Sequence, residues 1–320
     1  MIRTDLTHGS VTRNIMTFAL PYMLAYFLQI LYGLADLFVI GIYCDVDSTT
    51  AVSNGAQVMH LVTVVLIGLA MGTTVLTAHA VGAHDEKYTR RIVGNTITMS
   101  AVIAVVLMAV SMSMCSLIVS VMDTPPEAAK GMEQYLTVCF AGIPFIIAYN
   151  IIASIFRGLG DSRSPMYFVA VACAANIVLD YLLIGIIGLG AIGAALGTTL
   201  SQAISVAYAI ASIRRHRGVL DISPRDLRPQ RQVMGGILRT GVPIALQDGF
   251  IQVSFLAITV IANGRGLIDA AAVGIVEKFI GLVFIVPSAM LSTVSAVSAQ
   301  NIGAGKPHRA VATMRTAMLI

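Results

Sequence analysis

Residues 165–187 read PMYFVAVACAANIVLDYLLIGII. The run is long enough to cross a bilayer, whose hydrocarbon core of about 30 Å takes roughly 20 helical residues. Its two strongly polar members, Asn176 and Asp180, lie one helical turn apart and share one face. Runs of the same kind recur at 14–42, 51–82, 92–121, 133–156, 190–213, 234–262 and 270–302, which makes eight spans, and 309–320 opens a ninth helix that stops short of spanning. The whole chain agrees with this local evidence. Hydrophobic residues make up 57%, charged residues 11%, and mean hydropathy is +0.85, against roughly 25% charged in soluble domains. We therefore expect an all-α, polytopic membrane protein.

With eight crossings the loops alternate sides, and basic residues should gather on one of them. Arg3 and Arg13, then Lys87, Arg90 and Arg91, then Arg157 and Arg163, then the stretch 214–239, then Lys306, Arg309 and Arg315 all fall on the same side. The other side carries Asp45, Asp47, Asp123, Glu127, Glu133 and Asp269, with only Lys130 and Arg265 basic. This pattern predicts a cytoplasmic N-terminus. It also explains the net charge of +4 as membrane orientation, so no nucleic-acid partner is expected. Residues 1–10 hold Arg3, Asp5 and His8 and no cleavage signal, so insertion falls to the first span. Tryptophan is absent, which leaves Tyr and Phe to form any interfacial aromatic belt.

Self-comparison exposes a duplication. Ala19-Leu20-Pro21 before an apolar helix matches Gly241-Val242-Pro243 before another, and Val81-Gly82-Ala83 matches Ile302-Gly303-Ala304. Six spans, an even number, precede the second copy, so the repeats are parallel. The expected organisation is a six-helix bundle over 1–213, a basic linker over 214–232 and the start of a second bundle over 233–320. Two full copies would need about 120 residues more, so the chain reads as truncated.

Ionisable groups inside a bilayer cost at least about 2.5 kcal/mol and point to function. Asp36 lies deep in the first span and Asp180 in the fifth, with Asn176 beside it. If those spans meet, two carboxylates and an amide share a poorly solvated pocket. Both cannot ionise cheaply, and a proton or small cation relieves the repulsion. Pro21 removes one backbone hydrogen bond from the first span and offers a hinge. Gln247 and Asp248 in the seventh span, and Glu277 and Lys278 in the eighth, either line a cavity in the second bundle or snorkel to an interface.

Other motifs carry less. Cys44, Cys115, Cys139 and Cys173 are widely spaced and read as small packing residues, and the six histidines show no metal spacing. No cofactor is expected. Residues 188–193 fit GxGxxG but sit between two membrane spans, where Gly193 and Gly197 suit close helix packing. The loop Phe156-Arg157-Gly158-Leu159-Gly160-Asp161-Ser162-Arg163-Ser164-Pro165 has two glycines for a tight turn, Ser164 as a candidate helix cap and Pro165 as a candidate first helical residue.

This loop, the run Gln300-Asn301-Ile302-Gly303-Ala304-Gly305-Lys306 and the early prolines of the first and seventh spans together resemble the multidrug and toxic compound extrusion (MATE) transporters, across the whole chain. The resemblance implies twelve helices in two parallel six-helix lobes and export of amphipathic, often cationic compounds across the bacterial inner membrane, driven by H⁺ or Na⁺. It implies a carrier rather than an enzyme, working as a monomer among membrane lipids. Asp36, Asn176, Asp180 and Thr198 match the N-lobe ion set of the DinF-type branch, with Na⁺ an admissible occupant, and Pro21 matches the proline where that branch's first helix bends. The NorM-type branch has a Glu in the seventh span where this chain has Ile251 and Gln252. Two other readings stay open: a lipid-linked oligosaccharide flippase, which a strongly cationic cavity would favour, and a receptor or scaffold without transport.

Overall fold

A computed structural model describes residues 5–122, 124–215, 222–265, 273, 276 and 279–320. The described residues form helices α1 (Val11–Tyr43), α2 (Val46–Gly82), α3 (Glu86–Ser113), α4 (Cys115–Val121), α5 (Pro126–Ala141), α6 (Ile143–Gly158), α7 (Arg163–Asp180), α8 (Gly190–Arg215), α9 (Arg231–Arg265), α10 (Ile285–Gly303) and α11 (Pro307–Leu319). Seven of the helical segments are long and apolar enough to cross a membrane, and α5 with α6 makes an eighth if counted as one bent span. The spans run inside out relative to a soluble bundle. On α1, Leu20, Leu24, Phe27, Leu31, Leu34, Phe38 and Ile42 form an exposed apolar stripe at spacings of three and four. The opposite stripe turns Tyr22 and Asp36 inward.

Two expected spans are interrupted. The fourth bends by 48° at Gly142, because Pro144 has no N–H to give the carbonyl of Phe140. The third breaks at Met114, next to Ser113, whose hydroxyl donates back to Val110 O at 2.8 Å. The fifth span continues past Asp180 as a π-helical turn, Tyr181–Ile186.

The duplication is visible in the backbone. At the end of α2 the amides of Ala83, His84 and Asp85 donate to His79, Val81 and Ala80. At the end of α10 those of Ala304, Gly305 and Lys306 donate to Gln300, Ile302 and Asn301. Both turns need one left-handed residue, His84 at φ 56° and Gly305 at φ 70°. The two helices also cross reciprocally. A Cβ on Gly82 would strike the Gln300 carbonyl, and one on Gly303 would strike that of His79. Equivalent positions touching each other in exchange is the mark of a two-fold relation between the copies.

Candidate functional site

Asp36 on α1, Asn176 and Asp180 on α7 and Thr198 on α8 converge in the interior of the first repeat. Asp180 and Asn176 are fully buried and Asp36 is 7% exposed. Thr198 Oγ1 donates to Asp36 Oδ2 at 3.1 Å, tying α8 to α1. Asp180 and Asn176 face the same Asp36 carboxyl, but outside good hydrogen-bond geometry. Asp36 Oδ1, both Asp180 oxygens and both polar atoms of Asn176 are buried without a hydrogen-bond partner. Orphaned polar atoms at this depth are costly, so their concentration in one place marks a candidate site.

Local structure explains the convergence. Asp180 stands where α7 widens into its π turn, a distortion common at functional sites. Gly197 on α8 leaves room for it, since a Cβ there would overlap Asp180 Oδ1, and Gly193 packs against Leu183 and Ile184. Of the GxGxxG stretch, Gly193 thus serves helix packing, while Gly188 and Gly190 take the left-handed conformations of the turn.

Several neighbours were not evident in the sequence. Tyr32 lies one turn before Asp36 on α1 and shares its face. Tyr135 and Cys139 on α5 are buried in the core of the same repeat. The donor set of two carboxylates, an amide and a hydroxyl fits a proton or a small hard cation. Among the described residues no three His, Cys, Asp or Glu side chains are placed to hold a metal ion.

The remaining candidates are more dispersed. Pro21 lies within an unbroken α1. Gln247 is exposed, while Asp248 is partly buried. Glu277 and Lys278 lie outside the described residues. The loop after α6 differs from expectation in three ways. Asp161 rather than Ser164 caps α7, accepting from the amides of Arg163 and Ser164 and the Ser164 hydroxyl, because a carboxylate offers two acceptors to the free amides of a helix start. Pro165 is the third helical residue rather than the first. Arg157 turns inward, 8% exposed, with its guanidinium 5.0 Å from the Tyr22 ring centroid.

Residues 21–182 and 243–320 match the family model described as MatE. Probable multidrug resistance protein YpnP of Bacillus subtilis is 28% identical over 305 residues, covering 95% of this chain and 68% of that protein. Multidrug export protein MepA of Staphylococcus saprophyticus is 25% identical over 269 residues, covering 83% of this chain and 59% of its own length. The chain therefore spans roughly two thirds or less of these relatives. A solved structure described as the outward-facing conformation of a multidrug resistance MATE family transporter superposes with a TM-score of 0.89 at 23% identity, covering 99% of this chain and 70% of that one. The apolar spans, the reciprocal crossing of the two repeats and a match over most of the chain lead to one conclusion: this protein belongs to the MatE family of membrane transporters.

Proposed function

We propose that the chain is the N-terminal part of an ion-coupled exporter of amphipathic, often cationic compounds, working by alternating access. The reading rests on one observation above all. Two carboxylates from different helices, Asp36 and Asp180, meet in a buried pocket with most of their oxygens unpartnered. Two negative charges at that depth repel each other strongly, and a proton or Na⁺ between them removes the repulsion. With Asn176 and Thr198 completing the oxygen set, ion occupancy then decides how tightly α1, α7 and α8 close on one another. Pro21, inside α1, supplies the hinge by which that change reaches a cavity between the lobes. Asp248 on α9 and Tyr26 on α1 would suit a cationic, aromatic-compatible cargo there.

The proposed lobes are 1–213 and 233 onward, joined by the linker 214–232. The N-terminus is cytoplasmic, the location is the bacterial inner membrane, the working unit is a monomer, and the match of the ion set favours the DinF-type branch. A flippase for an anionic lipid-linked cargo is disfavoured, because Arg157 is the one buried basic residue among those described.

The test is dye efflux from proteoliposomes of the full-length protein under separately imposed pH and Na⁺ gradients. Asp36→Asn and Asp180→Asn should each abolish the gradient dependence, and the double variant should be no worse than either single one, because the two share one ion. Gradient-driven transport that persists in both single variants would refute the site.

A further inference from the structure

We propose that residues 5–9 form a clasp that pins the two repeats together on the face carrying the N-terminus, and so sets how readily that face opens. The segment precedes α1 yet lies against the second repeat. Leu6 is 1% exposed and packs with Phe18 of α1 and with Ala296 and Val297 of α10. Every carbonyl from Leu6 to Gly9 is taken. Asn14 Nδ2 on α1 donates to Leu6 O at 3.1 Å and His8 O at 2.8 Å. From the second repeat, Asn301 Nδ2 donates to Leu6 O at 3.2 Å, Lys306 Nζ to Thr7 O at 3.1 Å and Arg309 Nη2 to Gly9 O at 2.9 Å. Lys306 Nζ also donates to His8 Nε2 at 3.0 Å, and Arg309 Nε braces Asn301 Oδ1 at 3.1 Å.

The run from Gln300 to Lys306, which no feature of the ion site uses, thereby acquires a role. Asn301 and Lys306 grip the clasp, and Gln300 Nε2 donates to Gly158 O at the end of α6 at 3.4 Å. The arrangement has a counterpart in the other repeat. Asp226-Leu227 repeats Asp5-Leu6 at an offset of 221. That segment leads into α9 and docks on α3 of the first repeat. Asn95 Nδ2 donates to Asp226 O at 3.4 Å, Thr98 Oγ1 to Leu227 O at 2.8 Å, and Asn95 Oδ1 accepts from Gln230 N at 2.6 Å. Each repeat is therefore embraced by the segment that leads into the other. Because Asn14 holds residues 5–9 to α1 while Asn301, Lys306 and Arg309 hold them to α10 and α11, separating the repeats on this face breaks one set of bonds or the other.

The clasp's consequence for transport rests on the alternating-access reading above, but its mechanical part is read without transport. Ala80 of α2, 1% exposed and packed with Ile92 of α3 and with Val233 and Ile237 of α9, sits at the repeat boundary. In the full-length protein bearing Ala80→Cys, peptide-resolved labelling by a membrane-impermeant maleimide reports opening of this face. Lys306→Ala and Asn14→Ala each remove two bonds and should each raise the labelling rate roughly tenfold. Labelling of native Cys139, buried inside the first repeat, should stay unchanged. An Ala80→Cys rate unaltered in both variants overturns the clasp, and so does a parallel rise at Cys139, which would mean general loosening. Faster labelling in a protein that exports nothing would leave the clasp standing and remove the transport reading.

Discussion

Gly197→Ala probes the proposed ion site without touching a polar group. The added methyl would sit more than 1 Å inside ordinary van der Waals contact with Asp180 Oδ1, with Asp180 Cγ and its backbone nitrogen also within 4 Å. Asp180 is too short to swing clear from the end of α7, so either its carboxyl leaves the Asp36 pocket or α8 moves away, carrying Thr198 with it. Overpacking of this kind costs about 1–3 kcal/mol, and if the strain falls on the ion-bound geometry it weakens ion affinity about 5- to 150-fold. Gly33→Ala is the matched control. It makes the same chemical change in α1, three residues from Asp36, and its methyl meets nothing within 4 Å. Removing a glycine from a helix interior should leave it neutral or slightly stabilised. The assay is the gradient dependence of dye efflux by full-length protein in proteoliposomes, with thermal melting to establish folding. A Gly197→Ala protein that melts near wild type and keeps wild-type ion dependence would refute the argument that Gly197 exists to admit Asp180.

Further outcomes follow from single contacts. Thr198→Val keeps the shape but loses the hydrogen bond that favours the ionised Asp36 carboxylate; bonds to charged groups contribute about 1.5–3 kcal/mol, so with H⁺ as the coupling ion the concentration for half-maximal efflux should fall about tenfold. Gly303→Ala drives a methyl into the His79 carbonyl and should lower the melting temperature, whereas Gly305→Ala meets no atom but strains a residue at φ 70°, a smaller loss of roughly 1 kcal/mol. Burial alone would push the Asp5 carboxyl up, but hydrogen bonds from the Thr7 side chain and amide and from His8 outweigh it and hold Asp5 at about 2 against an ordinary 3.8. Its contribution to the docked clasp is therefore complete above about pH 4 and disappears as pH falls through 2. Hydrogen exchange in residues 6–9, corrected for its intrinsic pH dependence, should accelerate over that interval, and Asp5→Asn should remove the effect.

The fold was largely legible because bilayer thickness and backbone hydrogen bonding leave an apolar chain few options. The runs of apolar residues mark the spans, and Gly-Ala punctuation at a constant offset marks the duplication. Local interruptions were less visible. Pro144 was in plain sight as the cause of the bend at Gly142, but a break at Met114 has no comparable signal beyond a serine. Asp36, Asn176 and Asp180 were candidates because buried charge in a membrane is expensive. Arg157 escaped because an arginine beside a loop looks like an orienting charge until its side chain is seen to turn inward over Tyr22.

By itself, then, the sequence determined that the chain crosses a membrane as parallel repeated helices and which residues would be costly to bury there. These are properties of single segments, set by transfer energies and by the left-handed turns at His84 and Gly305. The tertiary structure alone decided that α1, α7 and α8 bring Asp36 against Asp180, that Gly82 and Gly303 cross in exchange, and that residues 5–9 reach the opposite repeat. Those facts depend on the rotation and crossing of helices far apart in the chain. Hydropathy does not encode that rotation, because lipid accepts any apolar face and only close packing selects one.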